Sequence, residues 1–276
     1  MSAAKYLIAM LDERPGELFR LGTGAASMKQ ARWFAKYRPE RIPDYVAATT
    51  QGFGAGSSAR ERNEAMAAAA ELICVPEVYR HQDSIVAILD IGSRLGIEEE
   101  RKLVRIMLTN LARDNYAGHV ETGVGAAMLV VGKHSHYSVI DDLLDPMETF
   151  SKNQGLLETL GAERATITEI TDRWTRVFDH LLHAGATMDG RTPLSPGSLV
   201  QACMRVDEAG DEDEKQQHIL PLQVLVRAGA DWRAAMEDPR VGESARSLMK
   251  ELPEVRQGLL SDVAVQKPSR PGALKM

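Results

Sequence analysis

The stretch Gln217–Asp231, with the sequence QHILPLQVLVRAGAD, decides the predicted fold. Its apolar residues Ile219, Leu222, Leu225 and Val226 follow the spacing i, i+3, i+6 and i+7. This spacing places them on one face of an α-helix, and such a face is normally buried. The stretch therefore predicts an amphipathic helix that packs through its apolar side.

The same stretch indicates how this helix ends. Gly229 stands where a C′ residue with left-handed backbone closes a helix. Arg227, in the last turn, is favourable at the negative end of the helix dipole. The same pattern, an apolar helix that ends at a glycine, recurs in Arg173–Thr187, which carries LLHAGA at 181–186. Two copies of one supersecondary unit predict a repeat protein.

Both copies resemble the second half of an ankyrin repeat, whose pattern is G-H-x-x-V-V-x-L-L-L-x-x-G-A-D. His218 matches the family's histidine, and Gly229-Ala230-Asp231 matches its closing turn. After the first copy, Gly190–Leu194 (GRTPL) resembles the helix opening G-x-T-P-L, and Gly242–Ala245 is a weaker version after the second. The resemblance covers about residues 120–250 and implies stacked helical hairpins that bind proteins.

A third segment can be aligned with the same pattern. Ser135–Leu144 (SHYSVIDDLL) places His136 at the family's histidine and predicts a helix over 137–145. Asp145-Pro146 stands where the closing turn is expected. The resemblance implies structural roles for His136 and His218.

Composition supports a helical fold. The 276 residues are 44% hydrophobic and 26% charged but only 5% aromatic, and the long runs of Ala, Leu and Met favour helix over sheet. We predict an all-α fold, an α-solenoid of stacked helical hairpins that is ankyrin-like in its C-terminal half. Helix should exceed roughly 55% of residues, with any β-structure confined to short hairpins after Gly185 and Gly229.

The chain is predicted to have four parts. Glycines in Gln51–Ser58 mark the first boundary, and Ser58 with Glu61 forms a capping box for the next helix. The parts are an N-terminal helical region over 1–58, helical hairpins over 59–120, ankyrin-like repeats with a C-terminal cap over 121–262, and a disordered tail over 263–276.

Charge and cysteine use bear on location. The net charge of −6 does not steer the molecule toward nucleic acid or anionic lipid. Cys74 and Cys203 lie in apolar helical stretches, as reduced core thiols of a cytosolic protein do. Met1–Leu11 has neither the cleavage site of a signal peptide nor the length of a membrane span. We expect a cytoplasmic protein without a membrane partner.

A basic helix is predicted over 28–37. It carries Lys29, Arg32 and Lys36 together with Trp33, Phe34 and Tyr37. Such a helix can hold single-stranded nucleic acid by base stacking and phosphate contact. We expect instead that Trp33 and Tyr37, at i and i+4, face the core while the basic groups are solvated, so that no nucleic acid binds.

Histidines offer the other alternative, a metal-dependent hydrolase. The candidate ligands are His119, His134, His136, His180 and His183. An i, i+3 pair on a helix can share one ion. However, the chain has no H-E-x-x-H motif, no paired cysteines and no G-x-S-x-G elbow. We therefore expect no catalytic residues, no metal and no cofactor.

The sequence thus predicts a non-catalytic module that binds or occludes a protein partner of unknown identity. The contact residues that the ankyrin resemblance implies are Met188, Asp189, Arg191, Trp232, Arg233 and Met236. Trp232 has an alternative role, packing against the next repeat. The acidic run Asp207–Lys215 is expected to be a solvated loop, or else a contact for a basic partner.

Overall fold

The computed structural model describes residues 9–14, 25–50, 57–132, 138–159, 167–189 and 196–266, and these residues are mainly helical. Helix accounts for 82% of these residues, and no strand occurs among them. The all-α prediction is confirmed. The residues after Gly229 form no hairpin, since a helix begins at Trp232.

Residues 9–13 are helical, and the helices from Ala25 onward are numbered in chain order. They are α1 (Ala25–Tyr37), α2 (Ile42–Thr50), α3 (Ala59–Ile73), α4 (Gln82–Leu95), α5 (Ile97–Leu111), α6 (Val120–Val131), α7 (Leu144–Thr159), α8 (Ile167–His183), α9 (Ser198–Glu208), α10 (Glu212–Gln217), α11 (Ile219–Arg227), α12 (Trp232–Glu237), α13 (Glu243–Glu251) and α14 (Pro253–Gln266). Short 3-10 turns cover Pro39–Arg41, Pro76–Arg80, Asp114–His119 and Asp141–Leu143.

The chain divides into two compact units. The first combines Met1–Pro146 with Ala165–Thr187, and the second combines Met147–Arg164 with Met188–Met276. The boundaries predicted at 58 and 120 both fall inside the first unit.

Helix α4 is the centre of the first unit. It packs on α2, α3, α5 and α6, and Ile85, Ile88 and Leu89 are fully buried. At Gly92 the next helix comes so close that a Cβ atom would lie 2.8 Å from the Cα atom of Glu100. Helix α8 packs on α6 in the same unit.

The second unit is built around α9. This helix packs on α13, α11 and α12, and α14 packs on α13 and α11. Leu222 and Leu225, on the apolar face of α11, are fully buried. The region predicted as a C-terminal cap contains two helices, α13 and α14, and α14 begins at Pro253.

The predicted helix ends at glycine are confirmed. Gly185 has φ +97° and Gly229 has φ +94°. Ala186 N–H donates to the Leu181 carbonyl (2.9 Å), as Ala230 N–H does to that of Leu225 (3.0 Å). At both ends the glycine N–H also donates to the carbonyl three residues earlier, Gly185 to Leu182 (3.0 Å) and Gly229 to Val226 (3.1 Å). Each is therefore a Schellman motif.

The predicted capping box at Ser58 is also confirmed. The Glu61 N–H donates to the Ser58 hydroxyl oxygen (3.3 Å), while the Ser58 N–H donates to the Glu61 carboxylate (2.8 Å). The box satisfies two backbone donors at opposite sides of the first turn of α3.

The helix predicted over 137–145 is wrong. Residues 141–143 form a 3-10 turn, and α7 begins at Leu144 and runs on past Pro146. Pro146 thus lies in the first turn of a helix rather than beyond its end. Proline is tolerated there because the missing N–H has no intrahelical partner in any case.

Two segments predicted to be irregular are partly helical. The acidic run begins in the last turn of α9, and α10 (Glu212–Gln217) starts within it. The N-cap of α10, Asp211, accepts a hydrogen bond from Glu214 N–H (2.8 Å). Acidic residues are favourable in a first turn because the N-terminus of a helix is positive. Helix α14 continues to Gln266, so 263–266 are helical; the rest of the predicted tail lies outside the described residues.

Candidate recognition surface

Helix α12 starts directly after the Schellman turn at Gly229. The Asp231 carboxylate accepts hydrogen bonds from Arg233 N–H and Ala234 N–H, both at 3.0 Å. This side chain satisfies two of the backbone donors that a helix N-terminus leaves free. The turn and the cap together hold the start of α12 in one orientation.

Trp232 is half-buried and lies against α14. A Cβ atom added to Gly258 would lie 2.7 Å from Cζ2 of the indole. The ring therefore occupies space that is free only because residue 258 has no side chain. Trp232 therefore packs against α14 of the same unit. Its two predicted roles, partner contact and packing against the next repeat, stay predictions.

Arg233 covers the other part of the same indole. Its guanidinium carbon lies 4.3 Å from the centroid of the Trp232 ring, and the side chain is exposed. This distance suits a cation–π interaction, which orients the guanidinium at little cost in solvation. Trp232 and Arg233 thus form a single ordered pair at the protein surface.

Met236 lies one turn after Trp232 on the same side of α12, half-buried. Its carbonyl accepts a hydrogen bond from Arg246 Nε (3.0 Å), which also ties the end of α12 to α13. Trp232, Arg233 and Met236 together are called the α12 surface below.

The turn after α12 is fixed by an ion pair between Asp238 and Arg240, with 2.7 Å between Oδ2 and Nη2. Hydrogen bonds from the Arg240 side chain and backbone lower the pKa of Asp238 to about 2. Arg246 Nη2 also donates to the Asp238 carbonyl (3.2 Å). The α12 surface is therefore held at both ends of its helix.

The remaining predicted contact residues lie elsewhere in the sequence of the second unit. Met188 is half-buried, and its carbonyl accepts a hydrogen bond from Ser198 N–H (2.8 Å) at the start of α9. Asp189 is exposed, and Arg191 lies outside the described residues. The structure brings together the three residues of α12 on one helix, whereas 188–189 belong to a different segment.

Among the histidines that the structure describes, His183 and His218 have local partners. His183 Nδ1 lies 2.7 Å from the Asp179 carbonyl. His218 Nδ1 lies 3.1 Å from Glu148, whose carboxylate also pairs with Arg205 (3.0 Å). This distance suits an ion pair, and His218 Nδ1 makes no hydrogen bond to any described residue.

No group of three metal-ligating side chains is found in the described ranges. His134 and His136 lie outside these ranges, so their predicted roles stay predictions. The described histidines therefore give no residues to which a metal or cofactor can be assigned.

The prediction that Trp33 and Tyr37 face the core is wrong. They are 47% and 53% exposed, whereas Ala31, Phe34 and Ala35 are fully buried. The buried residues have the spacing i, i+3, i+4, which also places them on one face of a helix. The sequence therefore contained two candidate buried faces, and the structure buries the one with Phe34. Two alanines beside one phenylalanine let α1 approach its neighbours closely, and the larger rings are left outside.

Among the described residues, no helix is both long and apolar enough to cross a membrane. No protein-family model, curated protein or solved structure matches the chain. The resemblance to ankyrin repeats therefore stays a prediction from sequence.

Proposed function

We propose that the protein is a non-catalytic interaction module that binds a protein partner through the α12 surface. The observation that supports this most directly is the Trp232–Arg233 pair, with 4.3 Å between guanidinium and ring. Tryptophan and arginine are the side chains most enriched at the centres of protein interfaces, and methionine is enriched there too.

Rigidity adds to the case. The Asp231 cap precedes the pair, Gly258 lies beneath the indole, and Arg246 holds the last turn of the helix. Side chains that are ordered before binding lose little conformational entropy when the complex forms. A partner with an apolar recess and a carboxylate would complement the indole edge and the guanidinium.

We also propose that the repeats have an ankyrin-like arrangement and act in the cytoplasm. The two Schellman turns, in LLHAGA and VLVRAGAD, support the first point because both follow a helix with the family's apolar pattern. The free thiols of Cys74 and Cys203 support the second, since unpaired cysteines persist in reducing compartments.

Site-directed photo-crosslinking tests the surface in a lysate of the source cells. A photoreactive side chain at Ala234, which is exposed on α12, should crosslink one protein partner. The same group at Glu208, exposed on α9, is the matched control and should not crosslink it.

Gly258→Ala sharpens this experiment because it changes no exposed polar group. The new Cβ must displace the indole of Trp232, so the crosslink at residue 234 should weaken. Equal crosslinking from residues 234 and 208, or a yield that Gly258→Ala leaves unchanged, would contradict the proposed surface.

A further inference from the structure

The outer face of α1 combines exposed aromatic rings with lysines. Lys29, Trp33, Lys36 and Tyr37 occupy positions i, i+4, i+7 and i+8, which share one side of a helix. All four side chains are exposed. They are called the basic–aromatic face below.

This face is carried by a firmly packed helix. The opposite side of α1 buries Phe34, whose ring meets Tyr45 edge to face with 4.5 Å between centroids. Arg32 joins α1 to α3 through an ion pair with Glu71 (2.5 Å). The basic–aromatic face is therefore on a fixed support, and its exposure is a property of the folded first unit.

Helix α1 itself is positively charged although the whole chain is negative. Helix α1 contains no acidic residue. Arg32 is neutralised by Glu71, and the guanidinium of Arg41 is paired with Asp44. In the ranges that the structure describes, Lys29 and Lys36 have no ion-pair partner, so their charges remain available to a ligand.

We propose that the basic–aromatic face binds single-stranded nucleic acid. The rings of Trp33 and Tyr37 would stack on bases, while Lys29 and Lys36 would contact phosphates. Aromatic rings on a positively charged surface are the usual means of sequence-tolerant single-strand binding.

The spacing of the rings favours a single strand over a duplex. Positions i and i+4 on a helix are about 6 Å apart along its axis. Bases stacked in a duplex are separated by about 3.4 Å. Bases that are splayed apart, as in an extended single strand, are accessible to both rings.

The proposal is tested with the full chain and a fluorescein-labelled oligothymidylate of about 12 nucleotides, a length within the usual single-strand site sizes. Anisotropy should give a Kd in the micromolar range at about 50 mM salt. Two phosphate contacts predict a slope of about −1.4 for log K against log salt.

The variants separate stacking from charge. Trp33→Ala and Tyr37→Ala should each weaken binding about tenfold or more. Lys29→Ala with Lys36→Ala should bring the salt slope close to zero. The matched control, Lys102→Ala with Lys250→Ala, removes the same charge from two exposed lysines elsewhere and should leave affinity and slope unchanged.

Three results would overturn the proposal. The first is no binding of the oligonucleotide at low salt. The second is wild-type affinity in Trp33→Ala with Tyr37→Ala, once a melting curve has shown that the variant is folded. The third is displacement of the labelled oligonucleotide by an oligoglutamate peptide as effectively as by unlabelled oligonucleotide, with a loss of peptide binding when Trp33 and Tyr37 are replaced. This result would make an acidic protein segment the ligand.

Discussion

The backbone at Gly229 is left-handed, and this conformation carries an energetic cost for other residues. A Cβ atom at Gly229 would meet nothing within 4 Å, so the cost of a side chain there is conformational rather than steric. Gly229→Ala should lower the free energy of unfolding by about 1–2 kcal/mol. Urea unfolding followed by far-UV circular dichroism measures the loss.

Two further variants identify the cause. Gly229→Asn should cost less than Gly229→Ala because asparagine enters the left-handed region more readily. Gly210→Ala is the control, since Gly210 is exposed in the same unit and has no positive φ. A loss for Gly210→Ala as large as that for Gly229→Ala would exclude backbone strain as the explanation.

The two cysteines should differ in reactivity. Burial, with a smaller contribution from the Asp207 carboxylate, raises the pKa of Cys203 to about 12. At pH 8 this thiol is almost wholly protonated, and only the thiolate is nucleophilic. Cys74 is partly exposed, whereas Cys203 is buried.

Mass spectrometry after brief labelling with iodoacetamide should therefore show Cys74 modified and Cys203 protected in the folded protein. Both should react in urea. Rapid labelling of Cys203 without denaturant would contradict its placement in the core.

For individual residues, the sequence predicted backbone features better than side-chain exposure. Gly185, Gly229 and Ser58 were identified because a left-handed helix end and a capping box depend on a few neighbouring residues. The exposure of Trp33 was not predicted, because α1 has two apolar faces, one with Trp33 and one with Phe34. The helices that pack on α1 determine which face is buried.

Among the helices, the start of α13 depends on a side chain that lies far away in sequence. The Asp207 carboxylate on α9 accepts hydrogen bonds from Gly242 N–H (2.5 Å) and Ala245 N–H (3.0 Å). Asp207→Ala leaves both donors without this acceptor and should cost about 1–2 kcal/mol of stability, as the loss of an N-cap does.

Glu208→Ala provides the comparison for Asp207→Ala. It removes the same charge from the next residue, which is exposed, and should change stability by less than about 0.5 kcal/mol. The two unfolding curves would disprove the cap if their midpoints coincided.

The boundaries of α7 and α10 show where local patterns were insufficient. A proline such as Pro146 can follow the end of one helix or lie in the first turn of the next. The second case applies here because α7 continues beyond Pro146. The acidic run was expected to be solvated, and its residues are indeed exposed around Glu212–Glu214. The helix within it is capped by the Asp211 side chain.

For the whole molecule, composition and the helical spacing of apolar residues were enough to predict an all-α fold. They could not predict the two units, because α8 resembles α11 in sequence yet belongs to the first unit, where it packs on α6. Which helices pair is decided by contacts between distant segments, and a local pattern does not contain them.

The two proposed surfaces make separable predictions for the whole protein. Lys29→Ala with Lys36→Ala should reduce oligonucleotide binding and leave partner binding intact. Trp232→Ala with Arg233→Ala should do the reverse. Such a result would assign nucleic-acid binding to the first unit and protein recognition to the second.

The most direct measurement is isothermal titration calorimetry of the crosslinked partner, once purified, with the full-length variants. Truncation of an aromatic–arginine pair at an interface centre typically costs about 2 kcal/mol or more. We therefore predict that Trp232→Ala with Arg233→Ala, shown by melting to be folded, weakens binding about thirtyfold. Lys29→Ala with Lys36→Ala should bind the partner like the wild type. Full affinity in the first variant and loss in the second would place recognition on the N-terminal helices and contradict the proposed function of the α12 surface.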